Sequence, residues 1–297
     1  MKIITTASIM KIIRLKLVVL LMPIMFYNSI AQNSKLDSAP VNFKKEKLVA
    51  WCIVPFDALN RTPRERAEML VDLGLTRVAY DWREKHVTEF EEEILQYKKH
   101  NIEYFAFWNE HPLAFNLFEK YDIHPQIWKI VGNPKSATQE EKVKYAANSL
   151  VELANKTKNL GCKLGLYNHG GWGGEPENLV AVCKELNKRG FEHVGIVYNF
   201  HHAHGQIETF TKDFKIMKPY LLCLNLNGVA NPSDVNEETK ENKILPIGSG
   251  VHEKEMIQII LESGYDGPIG ILGHIETQDV AISLQNNITG LKKIVGE

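Results

Sequence analysis

Residues 163–174 read KLGLYNHGGWGG, and this stretch decides the fold. An apolar run of strand length, Leu164 to Tyr167, stops abruptly at Asn168 and His169, and a glycine-rich loop follows. Three later stretches share this grammar: VGIVYNFHHAHG at 194–205, LLCLNLNG at 221–228 and PIGILGHIE at 268–276. Each is a short apolar run that ends in Asn or His. Parallel strands closed into a barrel open all their carboxyl ends on one face, which is where such a fold keeps its active site. Four separate segments would then deliver Asn168, His169, Asn199, His202, Asn225, Asn227 and His274 to one cup.

Upstream of the opening stretch, strands are expected at 48–54, 76–80, 102–107 and 127–131, and downstream at 193–198, 221–226 and 269–272. Helices are expected between them. Thr62-Pro63-Arg64-Glu65 is a helix start, with a capping Thr, a Pro suited to the first turn and a Glu three residues after the Thr. The same capping box is read at Thr88–Glu91 and Thr138–Glu141, and Gly74 and Gly161 read as helix ends. Further helices are expected at 176–188, 206–217, 252–263 and 280–295. The stretch between the third and fourth strands is the least regular. Strands alternating with helices imply a parallel sheet, and eight units imply closure into a single-domain (β/α)8 TIM barrel over 48–297. No dinucleotide fingerprint follows the first strand, which argues against a doubly wound sheet.

The first residues stand apart. Lys11, Arg14 and Lys16 precede an apolar run from Leu17 to Phe26, and Ser29-Ile30-Ala31 offers a small-residue cleavage site, so 1–31 reads as a signal peptide and 32–47 as a polar arm. The expected location is secreted or periplasmic, with no stable membrane insertion after cleavage, since the apolar run is short for a span. A formal net charge of −1 gives no electrostatic case for nucleic acid. Four cysteines without a regular spacing read as buried free thiols rather than a disulfide framework or a zinc finger.

Chemistry is expected from the strand ends. His169, His201, His202, His204 and His274 all fall there, with the carboxylates Asp81, Glu110 and Glu276. Imidazole is both the usual acid or base near neutral pH and the commonest metal ligand. His202, His169, Glu276 and Glu110 are the expected catalytic set, and His169, His202 and His274 the expected holders of a divalent ion, zinc, manganese or magnesium. Asn168, Asn199, Asn225 and Asn227 each carry donors and an acceptor that suit sugar hydroxyls. With His204 and the apolar platforms Trp82, Trp108 and Trp172, they are the expected substrate contacts. His86, His100 and His193 read as surface residues, and Gly248-Ser249-Gly250 before a helix as an anion site or a tight turn. The long loop at 228–250 is of a length that is often functional.

The order of the strand-end motifs LGLYNHGG, GIVYNFHHAHG, LNLNGV, LPIGSGVHEKEM and YDGPIGILGH resembles the xylose-isomerase-like barrel superfamily of sugar-phosphate isomerase/epimerase-type proteins, over nearly all of 48–295. The resemblance implies four metal ligands, Glu, Asp, His and Glu, at strand ends where this chain has Asn168, Asn199, Asn225 and Gly273. His169 and His202 match histidines that accompany the first two ligands. An Asn cannot act as a base and binds a divalent ion less strongly than a carboxylate. The implied activity is isomerisation or epimerisation of a sugar or keto-sugar by proton abstraction beside a carbonyl. Alternatives on the same barrel are a keto-glycoside lyase or hydratase, a hydrolase using a histidine-bound water, and a carbohydrate-binding barrel without catalysis.

Overall fold

The computed structural model describes residues 39–236 and 238–296. The leader read at 1–31 and the start of the arm lie outside the described residues. Strands β1 (Val49–Trp51), β2 (Arg77–Tyr80), β3 (Glu103–Trp108), β4 (Gln126–Ile130), β5 (Leu164–Tyr167), β6 (Val194–Asn199), β7 (Leu221–Leu226) and β8 (Ile269–Leu272) follow one another around a closed parallel barrel. Helices α1 (Pro63–Leu73), α2 (Phe90–Lys99), α3 (Pro112–Tyr121) and α4 (Gln139–Asn159) follow the first four strands. Helices α5 (Pro176–Lys188), α6 (Phe210–Met217), α7 (Glu253–Glu262) and α8 (Val280–Val295) follow the rest. No helix among the described residues is long and apolar enough to cross a membrane.

The barrel closes around a filled core. Side chains alternate along a strand, so each strand can send at least one residue inward. Val49 and Trp51 from β1, Ala79, Phe105, Trp128, Tyr167, Val197, Cys223 and Leu272 form one buried cluster drawn from all eight strands. Full burial of each large apolar side chain contributes about 1.5–3 kcal/mol. Glycine makes the room: a Cβ on Gly165 would stand 2.6 Å from Val197 and 2.9 Å from the Trp128 ring. All four cysteines are free and buried.

Two of the three expected capping boxes form. Thr62 and Glu65 exchange bonds at α1, which Gly74 ends in the left-handed region at φ 69°, and Thr138 and Glu141 do the same at α4. The box at Thr88 does not form. Residues 84–89 make a 3-10 turn instead, and α2 starts at Phe90. The turn is fixed by the Arg83 amide donating to His86 Nδ1 at 2.9 Å, so His86 is buried at 6% exposure rather than on the surface. Helix α3 went unread in the sequence. Pro112 occupies its first turn, His111 Nδ1 accepts from the Leu113 amide, and Ala114, Leu117 and Phe118 are its buried face. Nor are residues 39–47 a loose arm. They form two 3-10 turns with Phe43 buried, and Asn42 donates to the carbonyls of Tyr265 and Gly267.

Candidate functional site

The carboxyl ends of the strands enclose a cavity of about 840 Å³, within the roughly 300–1,000 Å³ usual for small-molecule sites. One wall is aromatic. Trp51 and Trp108 each meet Tyr167 edge to face, with Trp108 and Tyr167 centroids 4.7 Å apart, and the Trp82 indole donates to the Trp108 carbonyl. Another wall is made by His169, His201, His202 and His274. Thr239, Lys240, Glu241, Lys243 and Ile244 reach over from the β7–α7 loop.

Asp81 follows the apolar strand β2, as Asn and His follow the later strands, and it lines the cavity at 2% exposure. Its Oδ1 accepts from the Val54 amide at 3.3 Å, and its Oδ2 has no hydrogen-bond partner. Burial penalises the anion and pushes the carboxyl up to about 7, against a partial offset from the Arg83 charge. Beside it, Cys52 turns the chain out of β1 at φ 57°, a value uncommon for any residue but glycine and concentrated at functional sites.

The imidazoles form a chain of ring contacts. His169 and His202 centroids are 4.3 Å apart, His201 and His202 3.8 Å, and His201 and His274 5.9 Å. His274 also lies on the Phe56 ring at 3.5 Å. Desolvation, and then the like charges of neighbouring imidazoles and Lys243, drive His202 down to about 2. Desolvation, with Arg83 and Lys243, takes His274 to about 4. His201 and His169 shift the same way, again mainly through burial. The wall is therefore neutral imidazole at physiological pH.

The asparagines are placed elsewhere. Asn168, Asn199 and Asn225 are wholly buried and bonded to one another across β5, β6 and β7. Asn199 donates to Asn168 Oδ1 through its backbone at 2.7 Å and its side chain at 2.9 Å, and Asn225 Nδ2 donates to Asn199 Oδ1 at 2.7 Å. Asn227 is also wholly buried and donates to the Gly228 carbonyl. None of the four lines the cavity. Asn168, Asn199 and Asn225 are a hydrogen-bonded seam, Asn227 lies outside it with its Oδ1 unpartnered, and all four are away from the expected contact with a guest. Trp172 donates to Gln139 outside the cavity, His204 is buried behind it, and Glu110 pairs with Lys129 at 3.0 Å away from it. His169, His202, His274, Glu276, Trp82 and Trp108 do line it. Sequence reading assigned no role to Asp81, His201, Cys52 or Tyr167. Asp81 carried the strand-end signal, but its burial had none.

Two glycine-rich segments also resolve. Gly171 and Gly173 lie against Asn133 and the Val131 carbonyl, where a Cβ would fall within 2.5 Å, so these glycines serve close packing. At Gly248-Ser249-Gly250 the anion is internal. The Glu253 carboxylate accepts from the amides of Gly248, Gly250 and Val229 at 2.9, 2.9 and 3.0 Å.

The implied metal does not fit the side chains as arranged. At three of the four strand-end ligand positions the amides are spent on one another, and the fourth is Gly273. His274 lies on Phe56, apart from the close His169–His202 pair. Among the described residues, no three His, Cys, Asp or Glu side chains converge to hold an ion.

The 3-keto-D-glucoside 4-epimerase of E. coli, in its apo form, superposes with a TM-score of 0.62 at 13% identity, covering 84% of this chain and 100% of that one. An IolI protein with a bound zinc atom gives 0.65 at 12%, covering 84% and 98%. The D-psicose 3-epimerase of Clostridium cellulolyticum H10, bound to D-tagatose, gives 0.57 at 11%, covering 83% and 98%. At such identities the likeness is one of fold. No curated protein matches the sequence. The family model described as xylose isomerase-like TIM barrel matches residues 59–285. With the closed eight-stranded barrel and its cavity at the strand ends, the chain belongs to the xylose isomerase-like TIM barrel family.

Proposed function

We propose that this barrel is an exported enzyme that moves a proton at a carbon beside the carbonyl of a small keto-sugar, with an isomerase or epimerase outcome. One observation carries the reading: a carboxyl, Asp81, buried beside the cavity and tuned to about 7. A general base works best when its pKa lies near the working pH. Export rests on the leader read at 1–31. Epimerases among the proteins of similar fold, acting on a keto-glucoside and on psicose, support the substrate class.

In this reaction the Asp81 carboxylate takes the proton from the carbon next to the carbonyl. The C–H electron pair becomes the carbon–carbon π bond, and the carbonyl pair moves onto oxygen, giving an enediolate. The neutral imidazoles of His202 and His169 donate N–H bonds to that oxygen, and neutral donors already in place stabilise it without reorganisation. Strands β2 and β6 stand opposite in an eight-strand ring. A proton given by an imidazole N–H on that side reaches the other face of the carbon and inverts it; solvent then returns a proton to the imidazole and takes the one held by Asp81. Return to the neighbouring carbon isomerises the sugar. The aromatic wall receives the apolar face of the ring, and Glu276 stands at the rim.

The test is incubation in deuterium oxide with a panel of keto-sugars and keto-glycosides, read by NMR. Enzyme-dependent label at a carbon beside the carbonyl is expected. Folded protein that labels no member of the panel would refute the reaction and favour a carbohydrate-binding barrel.

A further inference from the structure

We infer that the guest is a keto-sugar acid, its carboxylate held by the guanidinium of Arg83 at the mouth of the cavity. The inference rests on the proposed reaction and adds to it the charge of the substrate. Arg61, Arg64, Arg66, Arg77 and Arg189 each pair with a carboxylate of the chain, and Arg83 alone of the described arginines does not. It lines the cavity two residues beyond Asp81, and it is exposed where Asp81 is buried. Its place is fixed nonetheless. The Arg83 amide donates to His86, Nη1 donates to the Trp82 carbonyl at 2.8 Å, and the guanidinium carbon lies 5.3 Å from the centre of the Phe56 ring. That leaves most of the guanidinium's five N–H donors for a guest.

The charges around the mouth select a single carboxylate. Lys240 and Lys243 line the same cavity from the β7–α7 loop. The Arg83 charge is felt by Asp81 and His274, and the Lys243 charge by His169, His201, His202 and His274. The two cations thus act on one space, and a concave site lined by cations concentrates anions. Glu84, Glu241, Glu276 and, when ionised, Asp81 line it too. A phosphate ester, with about 1.5–2 negative charges, meets more repulsion from them than a carboxylate with one. The two carboxylate oxygens match the paired N–H groups of a guanidinium, where a neutral hydroxyl takes a single bond. The exposed clamp and the buried acid also set the direction of entry. The carboxylate stays toward solvent, and the carbonyl end of the guest goes down to Asp81.

The experiment titrates the protein with D-fructuronate, D-fructose and D-fructose 6-phosphate. These share one keto-sugar frame and differ at its far carbon, which carries a carboxylate, a hydroxyl or a phosphate. Binding is followed through the indole fluorescence of the aromatic wall. D-fructuronate is expected to bind about tenfold more tightly than D-fructose, as one charge-assisted forked pair would give, and more tightly than the phosphate ester. In Arg83→Gln the ratio between acid and neutral sugar should fall to about one. Arg83→Lys keeps the charge without the fork and should recover only part of it. Circular dichroism checks that both variants fold. Equal affinity for acid and neutral sugar, a ratio unchanged in Arg83→Gln, or no binding by any of the three would overturn the clamp. Tightest binding of the phosphate ester would overturn it in favour of a phosphorylated guest. Each sugar is also incubated with the protein in deuterium oxide. Label beside the carbonyl of D-fructose, with no binding preference for the acid, would sink the clamp and leave the proposed reaction standing. Arg83-dependent binding of the acid without label in any of the three would do the reverse.

Discussion

Polar side chains at the strand ends of the barrel mouth fall into two sets that are used in opposite ways. At β5, β6 and β7, Asn168, Asn199 and Asn225 satisfy one another and are sealed from the cavity. Asp81 after β2, His201 after β6 and His274 after β8 line the cavity, and each keeps one buried polar atom without a hydrogen-bond partner. The first arrangement is a sheet device, since cross-strand pairs stabilise a sheet. A polar residue at a barrel rim is thus informative through its bonding rather than its type.

Asp81→Asn would test this contrast most severely. It keeps the shape and removes the acid, so turnover should fall by about 10²–10⁴-fold, the usual contribution of a general acid or base. Circular dichroism should not change, and retained turnover would erase the distinction between the two sets. The seam should respond in stability instead. A Cβ on Gly270 would stand 1.9 Å from Asn225 Oδ1, so Gly270→Ala should cost about 3 kcal/mol by urea unfolding, the upper end for overpacking. Adding Asn225→Ala should recover part of that loss, and a purely additive pair would show that the amide is not what the glycine accommodates.

The acid side of the stability profile sharpens the comparison. His202 and His274 have folded values near 2 and 4, below the unfolded imidazole. The unfolded chain then binds protons that the folded chain refuses, and their contribution is lost as pH falls below about 6.5. Asp81 has the opposite sign. Its folded value near 7 lies above the unfolded one, so acidification from 7 towards 4 favours the native state. The several depressed imidazoles outweigh the single carboxyl, and melting temperature should drop between pH 7 and 5. His202→Gln should flatten that drop and Asp81→Asn should steepen it. Turnover should fall as pH drops through about 7, where the Asp81 base becomes protonated. The smallest effect belongs to Glu110→Gln. The Lys129–Glu110 pair is partly exposed, at 28% and 37%, and lies off the cavity. Stability should change by at most about 0.5 kcal/mol, as for an exposed ion pair, with kcat/KM unchanged within threefold.

Much of this architecture was legible in advance because it rests on local rules. Strand-length apolar runs, the boxes at Thr62 and Thr138 and the glycine after α1 are written in short windows. Helix α3 is harder to read because its buried face is only Ala114, Leu117 and Phe118 and its cap is His111, a residue outside the usual capping set. The site was harder to read for a physical reason. An Asn at a strand end looks the same in sequence whether it meets a guest or a neighbouring strand. The choice is made by register, here Asn199 opposite Asn225, and by the glycine at 270 that leaves room for the amide. Burial decided the rest. Asp81 and Glu110 are both strand-end carboxylates, but one is desolvated beside the cavity and the other is tied to Lys129 outside it.

Glu253 carries a consequence for the choice of guest. Barrels of this architecture frequently seat a phosphate among the amides near the last strands and a helix N-terminus. Here a tethered carboxylate already sits on the amides ahead of α7, at an effective concentration no free ester can match. The barrel carries its own competitive inhibitor of phosphate docking there, built into the chain. At that position a phosphate would find the three amides already held by a carboxylate of the chain itself.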